Sequence, residues 1–205
     1  MKFNHSMDEF HPYRGWRWGR LPNRLRGTRC RRRDRGSTPV LQPAISSTRL
    51  AHCPCTLALA SLYSDLGDPA GLDGVADALR HFFPDSRGAY YYTAASQFLH
   101  QDLAAAERSV QLALAVDSRF APAHNLAGAI QASQGNAEQA RAAFRAALTL
   151  DPRDLATYTN LARLELSAGR ASASAGLFAE ALSLDPSSAS ARQGLADAQR
   201  AIRGR

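Results

Sequence analysis

A pattern of small and aromatic residues returns every 34 positions through most of this chain, and that spacing limits the fold more than any other feature. Asp185-Pro186 follows Asp151-Pro152 by 34 residues; that pair follows Asp117-Ser118 by 34, which follows Phe83-Pro84 by the same interval. Tyr90, His124 and Tyr158 hold the same phase, as do Val110, Phe144 and Phe178, and Ala113, Ala147 and Ala181. Chance does not keep several columns in phase at once. Repeats of this length are stacked supersecondary units, each too small to bury its apolar surface alone.

The phase divides the chain into units 53–86, 87–120, 121–154 and 155–188, with a short 189–205 remaining. Each unit reads as two helices. In the third, Ala121 to Gln134 forms a first helix (A), Gly135-Asn136 turns the chain, and Ala137 to Leu150 forms a second (B). Asn136 is expected to cap helix B, and Asp151-Pro152 to stop it, because proline disfavours helix at the residue before it. Unit four repeats the layout with Gly169-Arg170 and Asp185-Pro186. Unit one turns at Gly67-Asp68-Pro69, with proline at the first helical position. Unit two has Gln101-Asp102 where the others have glycine, a local weakness in the pattern. In the last segment Ala191, Leu195, Ala198 and Ile202 form one stripe, with Arg192, Gln193, Asp197 and Arg200 on the remaining face. That is the pattern of an amphipathic helix closing the end of a solenoid.

These columns resemble the tetratricopeptide repeat family, over about three quarters of the chain. Unit three carries His124, Ala127-Gly128, Ala140, Phe144, Ala147 and Pro152 in the family's order. Unit four carries Tyr158, Leu161-Ala162, Ser174, Phe178, Ala181 and Pro186. Unit two carries Tyr90, Thr93-Ala94, Ala106, Val110 and Ala113, with Ser118 in the proline place, and unit one is weaker, with Leu59-Ala60, Tyr63, Gly67 and Pro84. The resemblance implies an all-α, right-handed α-solenoid of about four helix pairs with a C-terminal capping helix. Small residues at Gly128, Ala140 and Ala147 let helices approach, while Phe144 fills the gap toward the neighbouring unit.

The resemblance also implies a function and a surface. Proteins of this family hold a peptide or loop of a partner protein in a concave groove lined by A helices. Carried over residue by residue, the groove rows are Tyr91, Asn125, Thr159 and Gln193; then Ala95, Ala129, Arg163 and Asp197; then Phe98, Ala132, Leu166 and Arg200. Tyr91 and Phe98 are expected as exposed aromatic contacts, since such residues are enriched at interfaces. Arg163 is expected to meet a carboxylate or carbonyl. Members that bind chaperone tails use a basic and asparagine clamp; here Leu57, Ser61, Tyr91 and Ala95 stand in its places, so that ligand is not expected.

Charge is distributed unevenly. The chain of 205 residues has a net charge of +7, yet residues 1–52 hold 12 Lys/Arg against 3 Asp/Glu, a net +9, and the rest of the chain is net −2. Residues 1–52 are rich in Arg, Pro, Gly and Ser without helical or strand periodicity, and the expectation is a disordered arm or an over-extended gene start. Tyr13, Trp16 and Trp18 lie among Arg14, Arg17 and Arg20. The alternative function is therefore nucleic-acid binding through phosphate contacts and base stacking. A further alternative is an accessory module of a larger enzyme system.

Signatures of chemistry are lacking: the sequence has no glycine-rich phosphate loop, no His-Glu-x-x-His and no nucleophile elbow. The expectation is a protein without catalytic residues, cofactor or metal. Cys53-Pro54-Cys55 beside His52 lacks a second ligand pair at zinc spacing, Cys30 lies far off in the arm, and three cysteines form no disulfide framework. His124 takes the place of a structural aromatic. No apolar run reaches the roughly 18 residues of a membrane span, so no membrane partner is expected and the cytoplasm is the expected compartment.

Overall fold

A computed structural model describes residues 54–204; the basic arm of residues 1–52, with its expected disorder and nucleic-acid contacts, lies outside them. Among the described residues there are nine α-helices and no strand: α1 (Pro54–Leu66), α2 (Pro69–Phe82), α3 (Arg87–Leu99), α4 (Leu103–Val116), α5 (Ala121–Ser133), α6 (Ala137–Leu150), α7 (Leu155–Ser167), α8 (Ala171–Leu184) and α9 (Ala189–Arg203). The odd-numbered helices are the A helices and α2, α4, α6 and α8 the B helices. The architecture is an all-α solenoid.

The packing order gives its curvature. Each helix packs on its chain neighbours, and in addition α1 meets α3, α3 meets α5, α5 meets α7 and α7 meets α9, whereas no two described B helices touch. The A helices therefore form the crowded inner row and the B helices the splayed outer one. A concave face made of A helices follows from this asymmetry alone.

Helix ends follow local chemistry. Asp68 accepts from the Gly71 N–H at 3.1 Å, Ser86 from Ala89 at 3.1 Å, Asp102 from Ala105 at 3.0 Å and Asp154 from Ala156 at 3.0 Å, each satisfying a first-turn donor. Asn136 departs from expectation. It stands at the N-cap position of α6, but its side chain makes no capping bond; its amide donates instead to Gln131 Oε1 at 2.9 Å. The amide is turned back across the A–B turn toward the end of α5.

One aspartate column ends three B helices. Asp117, Asp151 and Asp185 each accept from the backbone N–H two residues on, at 3.0, 3.0 and 2.9 Å. This closed turn explains why α4 stops at Asp117 although Ser118 replaces the proline.

The A–B turns need a left-handed residue. Gly67, Gly135 and Gly169 have φ of 63°, 84° and 75°, and Gln101 has φ of 64° at the same place in unit two. Its side chain donates to the Phe98 carbonyl at 3.2 Å, a partial compensation.

Within and between the units an aromatic ring lies on a small residue. A Cβ on Gly128 would stand 2.6 Å from the Phe144 ring, and one on Gly194 would stand 2.2 Å from Phe178. The columns Ala106, Ala140 and Ser174, then Val110, Phe144 and Phe178, then Ala113, Ala147 and Ala181 are all buried. Tyr90 and Tyr158 are half-buried, and Pro152 and Pro186 are exposed at the turns. His124 is half-buried with Nε2 2.9 Å from the Ser118 carbonyl, a packing role.

Two stability effects follow. Gln101→Gly relieves a left-handed residue that costs an L side chain about 1–2 kcal/mol, less the added entropy of glycine. The net gain is expected to be at most about 1 kcal/mol by these magnitudes, read as a higher urea midpoint at unchanged slope; a lower midpoint refutes it. Asp154 is held above the ordinary carboxylate range by burial, which outweighs the bonds it accepts from Thr157 and Ala156. A raised carboxyl favours the fold below its ordinary pKa, and that contribution is lost as pH rises through the folded value. Asp154→Asn is therefore expected to raise Tm at pH 7, with the gap closing as pH falls below the ordinary Asp range. Thermal melts across pH check the crossover.

Candidate partner-binding surface

The inner row is built where A helices meet A helices. Side chains one turn into each A helix point along it. Tyr91 of α3 meets Phe120, just before α5, with ring centroids 5.2 Å apart at 76°, and Arg87 lies over the same Phe120 ring at 4.8 Å. Further along, Asn160 Nδ2 of α7 donates to Asn125 Oδ1 of α5 at 3.2 Å, both residues buried. The Thr159 hydroxyl donates to the Leu155 carbonyl at 2.9 Å.

These contacts decide how much of the expected groove is open. Tyr91, Ala95, Phe98, Asn125, Ala129 and Thr159 are all buried, at 1–6% exposure. Tyr91 and Phe98, expected as exposed aromatics, instead belong to an apolar core that runs from Ala60 of α1 to Leu164 of α7. The reason is the close A–A packing, which sequence register does not measure: a residue pointing inward in one unit lands against the next. Arg163 and Leu166 of α7 are only partly buried, and Ala132 is half-buried. On α9, Gln193 and Arg200 are exposed; Gln193 Nε2 donates to Asp197 Oδ1 at 3.1 Å, and Arg200 pairs with the same Asp197. The C-terminal part of the inner face, α7 with α9, is thus its polar and accessible part.

A second polar feature was not read from the sequence. Asp73, Glu107 and Arg141 are spaced by 34, and each reaches from a B helix to the A helix of the following unit. Asp73 accepts from the Ser96 hydroxyl and contacts His100 Nε2 at 2.9 Å. Glu107 accepts from Gln131 at 2.8 Å and Gln134 at 3.0 Å. Arg141 donates through Nε to Glu165 Oε1 at 2.6 Å, and also pairs with Glu138; Glu165 pairs in turn with Arg170. The signal was a charged column at the repeat period, hidden because its sign changes and because unit four has Ala175 there.

The charges respond to these partners. Burial pushes the Asp73 carboxyl up, but the bonds from Ser96 and His100 outweigh it and hold it below the ordinary range. Hydrogen bonds to Glu138 first, and to Glu165, raise the Arg141 guanidinium above its usual value. On the outer turn the Arg119 N–H, with Arg87 beside it, lowers Asp117.

Among the described residues no group of three or more His, Cys, Asp or Glu side chains is placed to hold a metal ion. Cys30, His52 and Cys53 lie outside the described residues. No described helix is long and apolar enough to cross a membrane.

Known proteins agree with this geometry. Residues 121–154, unit three as the period defined it, match the tetratricopeptide repeat family model. Among solved structures, PilF of Pseudomonas aeruginosa aligns at 22% identity over 73% of this chain and 68% of its own, with a TM-score of 0.63. A thermophilic TPR protein of Thermus thermophilus aligns at 24% identity over 71% of this chain and 80% of its own, also with a TM-score of 0.63. A MamA protein aligns at 21% identity over 67% and 75%, with a TM-score of 0.51. No curated protein matches the chain. Residues 121–154 are thus similar to a tetratricopeptide repeat, and the described helices share the fold of these solved structures.

Arg141 and Glu165 are 10% and 6% exposed at their side chains, so removing Glu165 leaves a buried guanidinium with the solvent-exposed Glu138 as its remaining partner. Glu165→Ala is expected to cost about 3–5 kcal/mol, the range for breaking a buried ion pair from one side. Glu107→Ala, at the half-buried position one repeat before Arg141, is expected to cost clearly less. Urea denaturation of both variants checks the ranking, and equal losses contradict it.

Proposed function

We propose that this protein is a noncatalytic scaffold that holds a peptide or loop of a partner protein on the C-terminal half of its concave face. Tetratricopeptide-repeat folds serve as protein-interaction scaffolds, which supports the class; the narrower assignment rests on one observation. Along the inner row α3 and α5 have their groove positions buried, from Tyr91 to Ala129, whereas Arg163 and Leu166 on α7 remain partly open beside the exposed Gln193 and Arg200 on α9. Binding needs accessible polar groups around an apolar contact. Leu166 supplies apolar area, and the Arg163 guanidinium fits a carboxylate or backbone carbonyl through charge-assisted hydrogen bonds. Arg200, oriented by Asp197, adds a second donor. The preferred ligand is an extended segment with an acidic or C-terminal carboxylate group, and the proposed compartment is the cytoplasm.

The test is affinity capture with the full chain and with an Arg163→Glu/Arg200→Glu variant, followed by mass spectrometry and a binding titration of whatever differs. Charge reversal at both donors is expected to weaken the specific partner at least about a hundredfold, as for loss of hydrogen-bonded charges at an interface. Circular dichroism should show unchanged helicity. Undiminished binding by the variant sinks the assignment.

A further inference from the structure

The seam in front of α7 is more polar than the repeat phase would make it. At the third position of their units Ala89, Ala123 and Ala191 are fully buried; α7 carries Thr157 there, buried just as completely. At the sixth position α5 has Leu126 in the core, and α7 has Asn160. At the eleventh, Gln97, Gln131 and Gln199 stand where α7 has the anionic Glu165. Asn160 reaches back to Asn125 of α5 and Glu165 to Arg141 of α6, and all four residues are buried. Arg141 Nη2 is buried without a hydrogen-bond partner among the described residues.

The apolar core divides at the same place. One body of buried side chains runs through α1 to α6 without a break and ends on Leu161 and Leu164 of α7. A second consists of Ala162, Phe178, Ala181, Ala191 and Ala198, with Tyr158, Leu166 and Leu195 packed on it; the partly buried Leu177 touches both. The ion pair across the seam can part without stranding a charge. Arg141 keeps the exposed Glu138 of its own helix, and Glu165 keeps the exposed Arg170 at the start of α8. Opening therefore exchanges one buried pair for two pairs that face solvent. A buried ion pair adds little net stability, and Thr for Ala or Asn for Leu removes apolar burial that holds the other units together. Stability in a solenoid is a sum of unit terms and interface terms, so the stack opens first at its weakest interface.

We propose that the seam between α6 and α7 is a joint, at which α7, α8 and α9 open as one body away from α1–α6, with the Asn125–Asn160 bond and the Arg141–Glu165 pair as its latch. The partly open Arg163 and Leu166 and the exposed Gln193 and Arg200 ride on the moving body. The joint thus sets the angle between that surface and the inner row of α3 and α5. It does so whatever the surface binds.

The repeat supplies its own ruler. Asp77, Gln111, Arg145 and Ala179 are exposed, lie on α2, α4, α6 and α8, and are spaced by 34. Spin labels at cysteines introduced pairwise at 77/111, 111/145 and 145/179, in the full chain carrying Cys30→Ser, Cys53→Ser and Cys55→Ser, measure three equivalent distances by double electron–electron resonance. The expected result is a second, longer-distance population for the 145/179 pair alone. It should grow with urea below the global transition, because opening exposes surface. Asn125→Leu/Asn160→Leu, which replaces both partners by apolar groups of similar size, is expected to shrink that population at least tenfold. Glu165→Ala is expected to enlarge it at least tenfold and to leave the 77/111 distance unchanged. Should the leucine pair fail to fold, the comparison of the three distances and the Glu165→Ala response still decide. Three equally narrow distributions that broaden together in urea overturn the proposal. So does a longer population at 77/111 or 111/145 equal to that at 145/179, or one at 145/179 that neither variant moves.

Discussion

Two helices of 13 or 14 residues cannot bury both of their faces against each other, and the rest of this structure depends on that constraint. The third unit closes its helix–helix interface by laying an aromatic ring on a small residue, Phe144 on Gly128. The other faces stay apolar and must be buried by a neighbouring unit. Close approach inside the pair and stacking between pairs are therefore one requirement. Phe178 shows the connection directly: its ring lies against Gly194 of α9, so the last aromatic of the series holds the terminal helix in place.

Apolar stacking alone tolerates slippage along the helix axis, and the polar seams restrict it. Asp73, Glu107 and Arg141 each reach the following unit at the same repeat position, with partners suited to their charge. Arg141 and Glu165 form the most buried of these pairs. An ion pair there contributes little net stability over an apolar pair, but misplacing it is costly. The Asn125–Asn160 bond plays the corresponding part on the inner row. Between them, these contacts select one register from several that the alanine-rich surfaces would accept.

Turns, helix ends and core columns were legible because each rests on local chemistry at a fixed spacing. Gly67, Gly135 and Gly169 announced left-handed turns, and the Gln101 anomaly proved to hold the same conformation in a less suitable residue. Asn136 was not legible: it stands at the N-cap position, yet its amide donates back across the turn to Gln131 and its side chain makes no cap bond. The inner surface was half legible. Register put Tyr91, Asn125 and Thr159 at one repeat position, but exposure depends on the distance between successive A helices. That distance makes the row largely a seam at its N-terminal half and leaves an accessible polar surface near α7 and α9.

The amino-acid sequence by itself determined the unit, its two helices, where they start and stop, and which columns pack, because these follow from interactions within the span of one repeat. Tertiary structure alone decided which inward positions remain open and which charges meet across units. Those outcomes depend on contacts between units, and a periodic sequence encodes the presence of a neighbour more plainly than its distance. The period with which the chain is written thus describes the material of the surface, while the spacing of the A helices determines how much of it a partner can reach.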